Sequence, residues 1–327
     1  MTALISQDQV KNVFFNPEVA IQLVEQAFRS YAEGNIILPT KISQIFDEKI
    51  QNRINCMPAT LMDKKICGVK WVSVFPENPK SGIKNVSGLI ILSEIDHGLP
   101  VAVMNGTEIT HIRTAAVGSV ALKYLARDNS ETIGFIGAGR EARVHLDLAV
   151  YSCHNLKKCF VSSRSESTVL EFIKEEKEKH PKIDFINCGN DFEKAIRPAD
   201  IVITATSTQA DLLKAAWIKS GATYIHVGGW EDEFAVAALA DKIVCDDWEC
   251  VKHRGQTLCR MYKAGELKDS DIYADLKEII VGNKLGREND TEFVYFNSVG
   301  LAFVDIFFAN YVYESLRNDI GILKFDF

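Results

Sequence analysis

Apolar positions along this chain fall into two rhythms. From 17 to 34, PEVAIQLVEQAFRSYAEG repeats its apolar residues at helical spacing and ends on glycine, which predicts an amphipathic helix. Short apolar runs follow at 41–46, 53–59, 67–75, 87–94 and 99–105. Gly, Pro, Asn and Asp separate them, as in a mainly antiparallel sheet. The stretch 110–127, THIRTAAVGSVALKYLAR, predicts a further helix with Thr110 as its N-cap. After the polar turn ARDNSE (126–131) the rhythm becomes strand then helix. Strands are expected at 132–136, 158–161, 184–188, 200–206, 222–228 and 241–246. That order implies a parallel sheet with right-handed crossovers. A long apolar helix at 299–318 is expected to leave this second region and pack on the first.

The expected fold class is therefore α/β: a doubly wound parallel-sheet domain plus an α+β domain. The expected division is 1–127 plus 298–327 for the α+β domain, and 128–297 for the parallel-sheet domain. Composition agrees with a globular protein with a substantial core, with 327 residues, 47% hydrophobic and 25% charged. A net charge of −7 without a dense Lys/Arg run argues against a nucleic-acid binder. No apolar run approaches a membrane span, and the N-terminus lacks the basic and apolar regions of a signal peptide. Eight scattered cysteines with no CxxC pair fit free thiols in a reducing cytoplasm, and no metal site is expected.

The first chemistry-bearing motif is IGAGREAR. Gly137, Gly139 and Ala142 form G-x-G-x-x-A between a predicted strand and a predicted helix. Such a turn brings backbone N–H groups at a helix start, here near Arg140 and Glu141, against a pyrophosphate. The end of the next strand reads FVSSRSES. An acid there would bond a ribose 2′-hydroxyl, whereas Ser163 and Arg164 suit a 2′-phosphate. NADP(H) is favoured on this reading, with NAD(H) the alternative, in which Glu166 takes the ribose.

The chain resembles the ornithine cyclodeaminase/mu-crystallin family. The resemblance is carried by RINCMPA (53–59), VKWVSVFPENP (69–79), SGLIILSEIDHGLPVAVMNGTEITHIRTAA (87–116), the GAGREA turn, ADIVITATS (199–207) and GREND…FNSVGLAFVDI (286–306). Within the family it is most similar to the branch containing the siderophore-pathway N-(2-amino-2-carboxyethyl)-glutamate dehydrogenase. The resemblance implies an NAD(P)-dependent oxidoreductase acting on a C–N bond, with hydride transfer at an amino-bearing carbon of an amino acid, imine or opine-type N-linked dicarboxylate. It implies a small carboxylate-bearing amino or imino acid as substrate, a Rossmann-type dinucleotide-binding domain at 128–297, and a substrate-binding and dimerisation domain at 1–127 plus 298–327, hence a homodimer. Two other readings stay open: a redox-neutral ornithine- or lysine-type cyclodeaminase, and a mu-crystallin-like NADPH-dependent binding protein or ketimine reductase.

The family's basic site residues carry over to Arg53, Lys70 and Arg113, each set among apolar or small neighbours, where a buried cation calls for a partner or a ligand. Lys70 is also a candidate for catalysis. The family's site acid falls in HVGGWEDEF (226–234), where Glu231 aligns best and Asp232 second, to handle the substrate nitrogen's proton. Asn55-Cys56 stands where ornithine cyclodeaminases carry an acid before Met-Pro, which counts against ornithine. Further cofactor-side candidates are Arg113, Thr114, Thr206, Ser207, Val227, Gly228, Ser298 and Gly300. His111 is expected to cap or face solvent, His226 to lie near the cofactor edge, and Asp305 to support the site or link the domains.

Overall fold

The computed structural model describes residues 1–13, 16–47 and 49–326. The chain divides into two compact units, Met1–Arg113 with Gly300–Phe327, and Thr114–Val299. The split falls inside the helix Thr107–Leu125, upstream of the polar turn at 126–131.

The first unit is built on an eight-stranded sheet. Its centre is an antiparallel meander of Asn52–Leu61, Ile66–Val74, Val86–Glu94 and Pro100–Asn105. Thr2–Ile5 pairs parallel to Pro100–Asn105 and antiparallel to Leu323–Phe325. Ile36–Ile37 and Ile42–Asp47 pair with Asn52–Leu61. The period-two alternation sets the two faces. Ile66, Gly68, Lys70 and Val72 are buried, while Trp71 between them is exposed.

The buried face is covered by the helix Ala302–Leu316, whose residues 302 to 310 are all buried. A Cβ on Gly68 would stand 2.7 Å from Ile306 Cδ1. Glycine here lets the helix close onto the strand that carries Lys70. The helix Pro17–Ala32 packs on Ala302–Leu316 in turn, Phe28 meeting Phe303 edge to face. Asn16 caps it, its side chain accepting from Glu18 N, with Pro17 at the first position.

The second unit is an eight-stranded parallel sheet in the order 184–187, 158–162, 132–136, 201–204, 223–226, 294–297, 242–245, 274–275. The chain runs outward in one direction from 132–136 and then back in the other, the doubly wound arrangement. The expected strands are all present. Val294–Asn297 was not anticipated, and it is a central, fully buried strand. One further expectation needs correcting. Thr110 does not cap its helix, which starts at Thr107. Asn105 Oδ1 accepts from Thr107 N, and Thr110 Oγ1 donates back to Gly106 O one turn earlier. No described helix is long and apolar enough to cross a membrane.

Candidate active site

In the first unit, Arg53, Lys70 and Arg113 meet different partners. Lys70 is 1% exposed, and its Nζ donates to Asp305 Oδ1 at 2.7 Å. Arg113 Nε donates to the same oxygen, also at 2.7 Å. Asp305 is fully buried, and its Oδ2 has no hydrogen-bond partner. Two cations thus share one oxygen of one carboxylate, and a buried acceptor is left over. A buried carboxylate oxygen without a hydrogen bond is costly unless a donor completes it. Gly300 makes room for it: its φ is +75°, and a Cβ there would lie 2.7 Å from Arg113 Nη1.

Asp305 is therefore an ion partner inside the first unit. Arg53 lies on the same sheet face as Lys70, by strand parity and by the Met57–Lys70 and Arg53–Val74 register. It is half-buried, and its Nη1 donates to Gln51 O at 3.0 Å. Burial lowers its pKa, and no carboxylate among the described residues pairs with it. Asn55, also on this face, is buried and holds Ser43 Oγ through its Oδ1 at 2.8 Å. His111 is buried within its helix and does not face solvent, and Thr114 follows one turn on.

In the second unit the glycine turn has the shape a dinucleotide needs. Gly137 has φ +105°, and a Cβ there would meet Thr206 Cγ2 at 3.0 Å and Ala205 O at 3.1 Å. Gly139 is the N-cap of Arg140–Ser152, and nothing lies within 4 Å of where its Cβ would be. The turn is closed from below and open at the helix start, where a pyrophosphate would sit against the first backbone N–H groups of the helix. Ala142 is fully buried against the sheet, whereas Arg140 is exposed and Glu141 half-buried. At the end of 158–162, Ser163 is half-buried and Arg164 exposed, just ahead of the helix that begins at Glu166. Ser207 is exposed, while Thr206, Val227 and Gly228 are half-buried. All of these lie at the carboxyl ends of parallel strands, where ligands of open α/β sheets bind.

Glu231 and Asp232 are both fully buried and both engaged within the second unit. Glu231 Oε2 accepts from Thr204 Oγ1 at 2.8 Å and Gly228 N at 2.9 Å, and its Oε1 from Thr206 N. A Cβ on Gly228 would overlap this carboxylate. Asp232 accepts from Thr257 Oγ1 at 2.6 Å and Tyr295 OH at 2.9 Å. His226, fully buried, links the pair. Its Nε2 faces Gly229 O at 2.8 Å and Glu231 Oε2 at 3.6 Å, and its Nδ1 faces Tyr295 OH and Asn297 Oδ1, each at 2.9 Å. Asn297 continues to Gln256, which donates to Gly228 O and Ser298 O. Burial, the largest influence, pushes the carboxyls of Glu231 and Asp232 up, and the neighbouring His226 opposes it. Ser298 Oγ donates to Asp246 Oδ2. Tyr224, Gln256, Thr257, Tyr295 and Asn297 were not singled out from the sequence, where they read as ordinary strand and helix positions.

A unit with this sheet order and glycine turn defines a dinucleotide-binding fold, joined here to an α+β unit with a buried cationic cluster. The chain belongs to the ornithine cyclodeaminase/mu-crystallin family, whose model matches residues 2–319. The Thermococcus litoralis Δ1-pyrroline-2-carboxylate reductase, solved in complex with NADH and L-proline, is 32% identical. It superposes with a TM-score of 0.93 over 99% of this chain and 100% of that one. An archaeal alanine dehydrogenase dimer with bound NAD is also 32% identical, with a TM-score of 0.89 over 99% of each chain. The N-((2S)-2-amino-2-carboxyethyl)-L-glutamate dehydrogenase of Staphylococcus aureus, from the branch expected above, is 28% identical over 92% of this chain and 90% of its own.

Proposed function

We propose that the chain is an NAD(P)-dependent oxidoreductase acting on a C–N bond of a small amino or imino acid. The observation that carries the reading is the buried Lys70–Asp305–Arg113 cluster, with two cations on one carboxylate oxygen and a leftover acceptor. A substrate carboxylate would meet the two cations, and a substrate N–H or ammonium would meet Asp305 Oδ2, which has no hydrogen-bond partner. An amino or imino acid offers both groups on adjacent atoms. The cofactor, when bound, supplies the hydride chemistry. The protein's part is to fix the carboxylate and so the orientation of the reacting carbon, with Arg53 as the third cation on the same sheet face.

Either Glu231 or Asp232 was expected to handle the nitrogen's proton. Their engagement within the second unit favours a positioning role, in which Glu231 holds the turns at 205–206 and 227–229 in place. Lys70 is then the favoured group for moving that proton.

We infer NADP(H) as the preferred cofactor, with NAD(H) the alternative, on the exposed Arg164 and the absence of an acid at Ser163. Arg164→Asp is expected to weaken NADPH binding at least tenfold and to leave NADH binding within a few-fold. An unchanged NADPH affinity would remove Arg164 from the site.

A homodimer is proposed as well. The outer face of the first unit's sheet carries an apolar row, Ile42, Cys56, Trp71 and Leu89, in cross-strand register, with Ile42, Trp71 and Leu89 exposed by 61%, 42% and 46%.

The test of function is absorbance of the reduced nicotinamide with purified protein. NADPH or NADH is offered with cyclic imines and keto acid–amine pairs, and the oxidised cofactors with amino acids and N-(carboxyalkyl) amino acids. Net turnover with one of them is the expected result. Ammonia release from ornithine or lysine without net cofactor turnover would establish the cyclodeaminase reading instead. Tight NADPH binding with no turnover of any kind would establish the binding-protein reading.

A further inference from the structure

A cluster of metal-ligating side chains lies outside everything described so far, between the helices Arg140–Ser152 and Glu166–Lys179 of the second unit. We propose that Asp147, Glu176 and His180 form a site for a divalent transition-metal ion of the zinc type, held between these two helices.

Glu176 and His180 are one helical turn apart and project to the same side, and Asp147 faces them from the neighbouring helix. One donor atom from each residue can be chosen so that all three lie within 4.8 Å of one another. His180 Nε2 is 2.7 Å from Asp147 Oδ1 and 3.8 Å from Glu176 Oε2. Donors around a tetrahedral zinc, at about 2.0–2.2 Å from the metal, stand roughly 3.3–3.6 Å from each other. Both His180 distances lie within an ångström of that spacing. The fourth position would be left to water, since Asp147 is 34% exposed on its side chain.

A second observation points to a ligand. Glu176 is fully buried, and its Oε2 has no hydrogen-bond partner, although it faces His180. A buried carboxylate oxygen left unpaired is costly. Its other oxygen receives Lys179 Nζ at 2.9 Å, and Lys179 also approaches Asp147 Oδ2 at 3.7 Å. Lys179 therefore occupies, from the solvent side, part of the place a cation would take. It is 46% exposed on its side chain, so it can swing into water when a metal arrives. Arg143 pairs with Glu175 at 3.0 Å and stands 4.0 Å from Glu176, one turn away from Asp147 on the same helix. A mixed set of one imidazole and two carboxylates suits zinc better than magnesium or calcium, which take oxygen ligands throughout.

The test is calorimetric titration of zinc chloride into chelator-treated full-length protein, with Co2+ as a spectroscopic substitute. One equivalent is expected to bind, with the intense visible band of tetrahedral cobalt. His180→Ala and Asp147→Asn should each weaken binding at least ~10-fold, the scale of losing a ligand or its close support. Lys179→Met should tighten binding several-fold, because it removes the competing cation from a half-exposed position without disturbing the fold. Thermal melts in metal-free buffer would show that each variant is folded. No stoichiometric zinc uptake would overturn the proposal. So would equal uptake by wild type and all variants, which would place the metal on the cysteine thiols, or an unchanged affinity in Lys179→Met.

Discussion

The two units each bury a charged cluster, and the clusters are finished to different degrees. Around Glu231 and Asp232 the carboxylate oxygens are filled from within: hydroxyls from Thr204, Thr257 and Tyr295, and backbone N–H groups from Thr206 and Gly228. Around Asp305 a single oxygen takes both Lys70 and Arg113, and the other takes nothing. A fully satisfied polar network rigidifies a fold, whereas a partly satisfied one is costly unless something binds to it. Under the proposed function, the first cluster is architecture and the second binds the ligand. The difference also explains why burial alone is a poor guide to catalysis, since Asp232 and Asp305 are equally inaccessible.

The sharpest way to break that comparison is to remove Asp305. Asp305→Ala leaves two buried cations without their shared partner, and a loss of about 3–5 kcal/mol in stability is expected, with turnover abolished. A denaturant melt within 1 kcal/mol of wild type (roughly the effect of an ordinary surface change) would mean that Asp305 is not the partner on which the two buried cations depend.

Glu231 comes next. Glu231→Ala strands three donors and should cost roughly 2–4 kcal/mol. Glu231→Gln keeps an acceptor and should recover much of that loss, with the pH profile of kcat unchanged. A folded Glu231→Gln enzyme that has lost turnover and one limb of its pH profile would return this residue to proton transfer.

A smaller effect concerns acidity away from both clusters. Asp275 is pushed up to about 6, mainly by burial, with Asp247 adding to it. An acid whose folded value lies above its unfolded value binds its proton more tightly in the native state. Its contribution is present in full below the unfolded value near 4 and is lost as pH rises through about 6. Stability should therefore fall by up to a few kcal/mol across that window from this group. Asp275→Asn, which keeps an N-cap oxygen for the helix Leu276–Ile280, should flatten the slope in melts taken from pH 4 to pH 7. An identical slope in the variant would remove Asp275 as its source.

Much of this molecule was legible in advance, for reasons that particular residues make clear. The strands of the first unit alternate buried and exposed positions, so Lys70 and Trp71 declared opposite faces. Gly137 and Gly139 are required by backbone geometry, and such requirements show in sequence. Val294–Asn297 escaped because four residues between polar turns carry too little periodicity to separate a buried strand from a loop. The network escaped for another reason. Its members, from Thr204 through Tyr224 to Asn297, come together only through the parallel strand order, which no local pattern records. Asp305 was visible as an acid in an apolar helix. That it would serve Lys70 and Arg113 together depends on how closely the helix sits on Gly68.

The central claim is that Arg113 and Lys70 bind the substrate carboxylate, while the glycine turn binds the cofactor by itself. The most direct measurement is made on Arg113→Ala, with cofactor affinity by fluorescence titration beside substrate turnover. The account predicts turnover reduced by at least ~10³-fold, of order 4 kcal/mol in transition-state stabilisation, with cofactor affinity within a few-fold of wild type. A large loss of cofactor affinity, or turnover close to wild type, would contradict it.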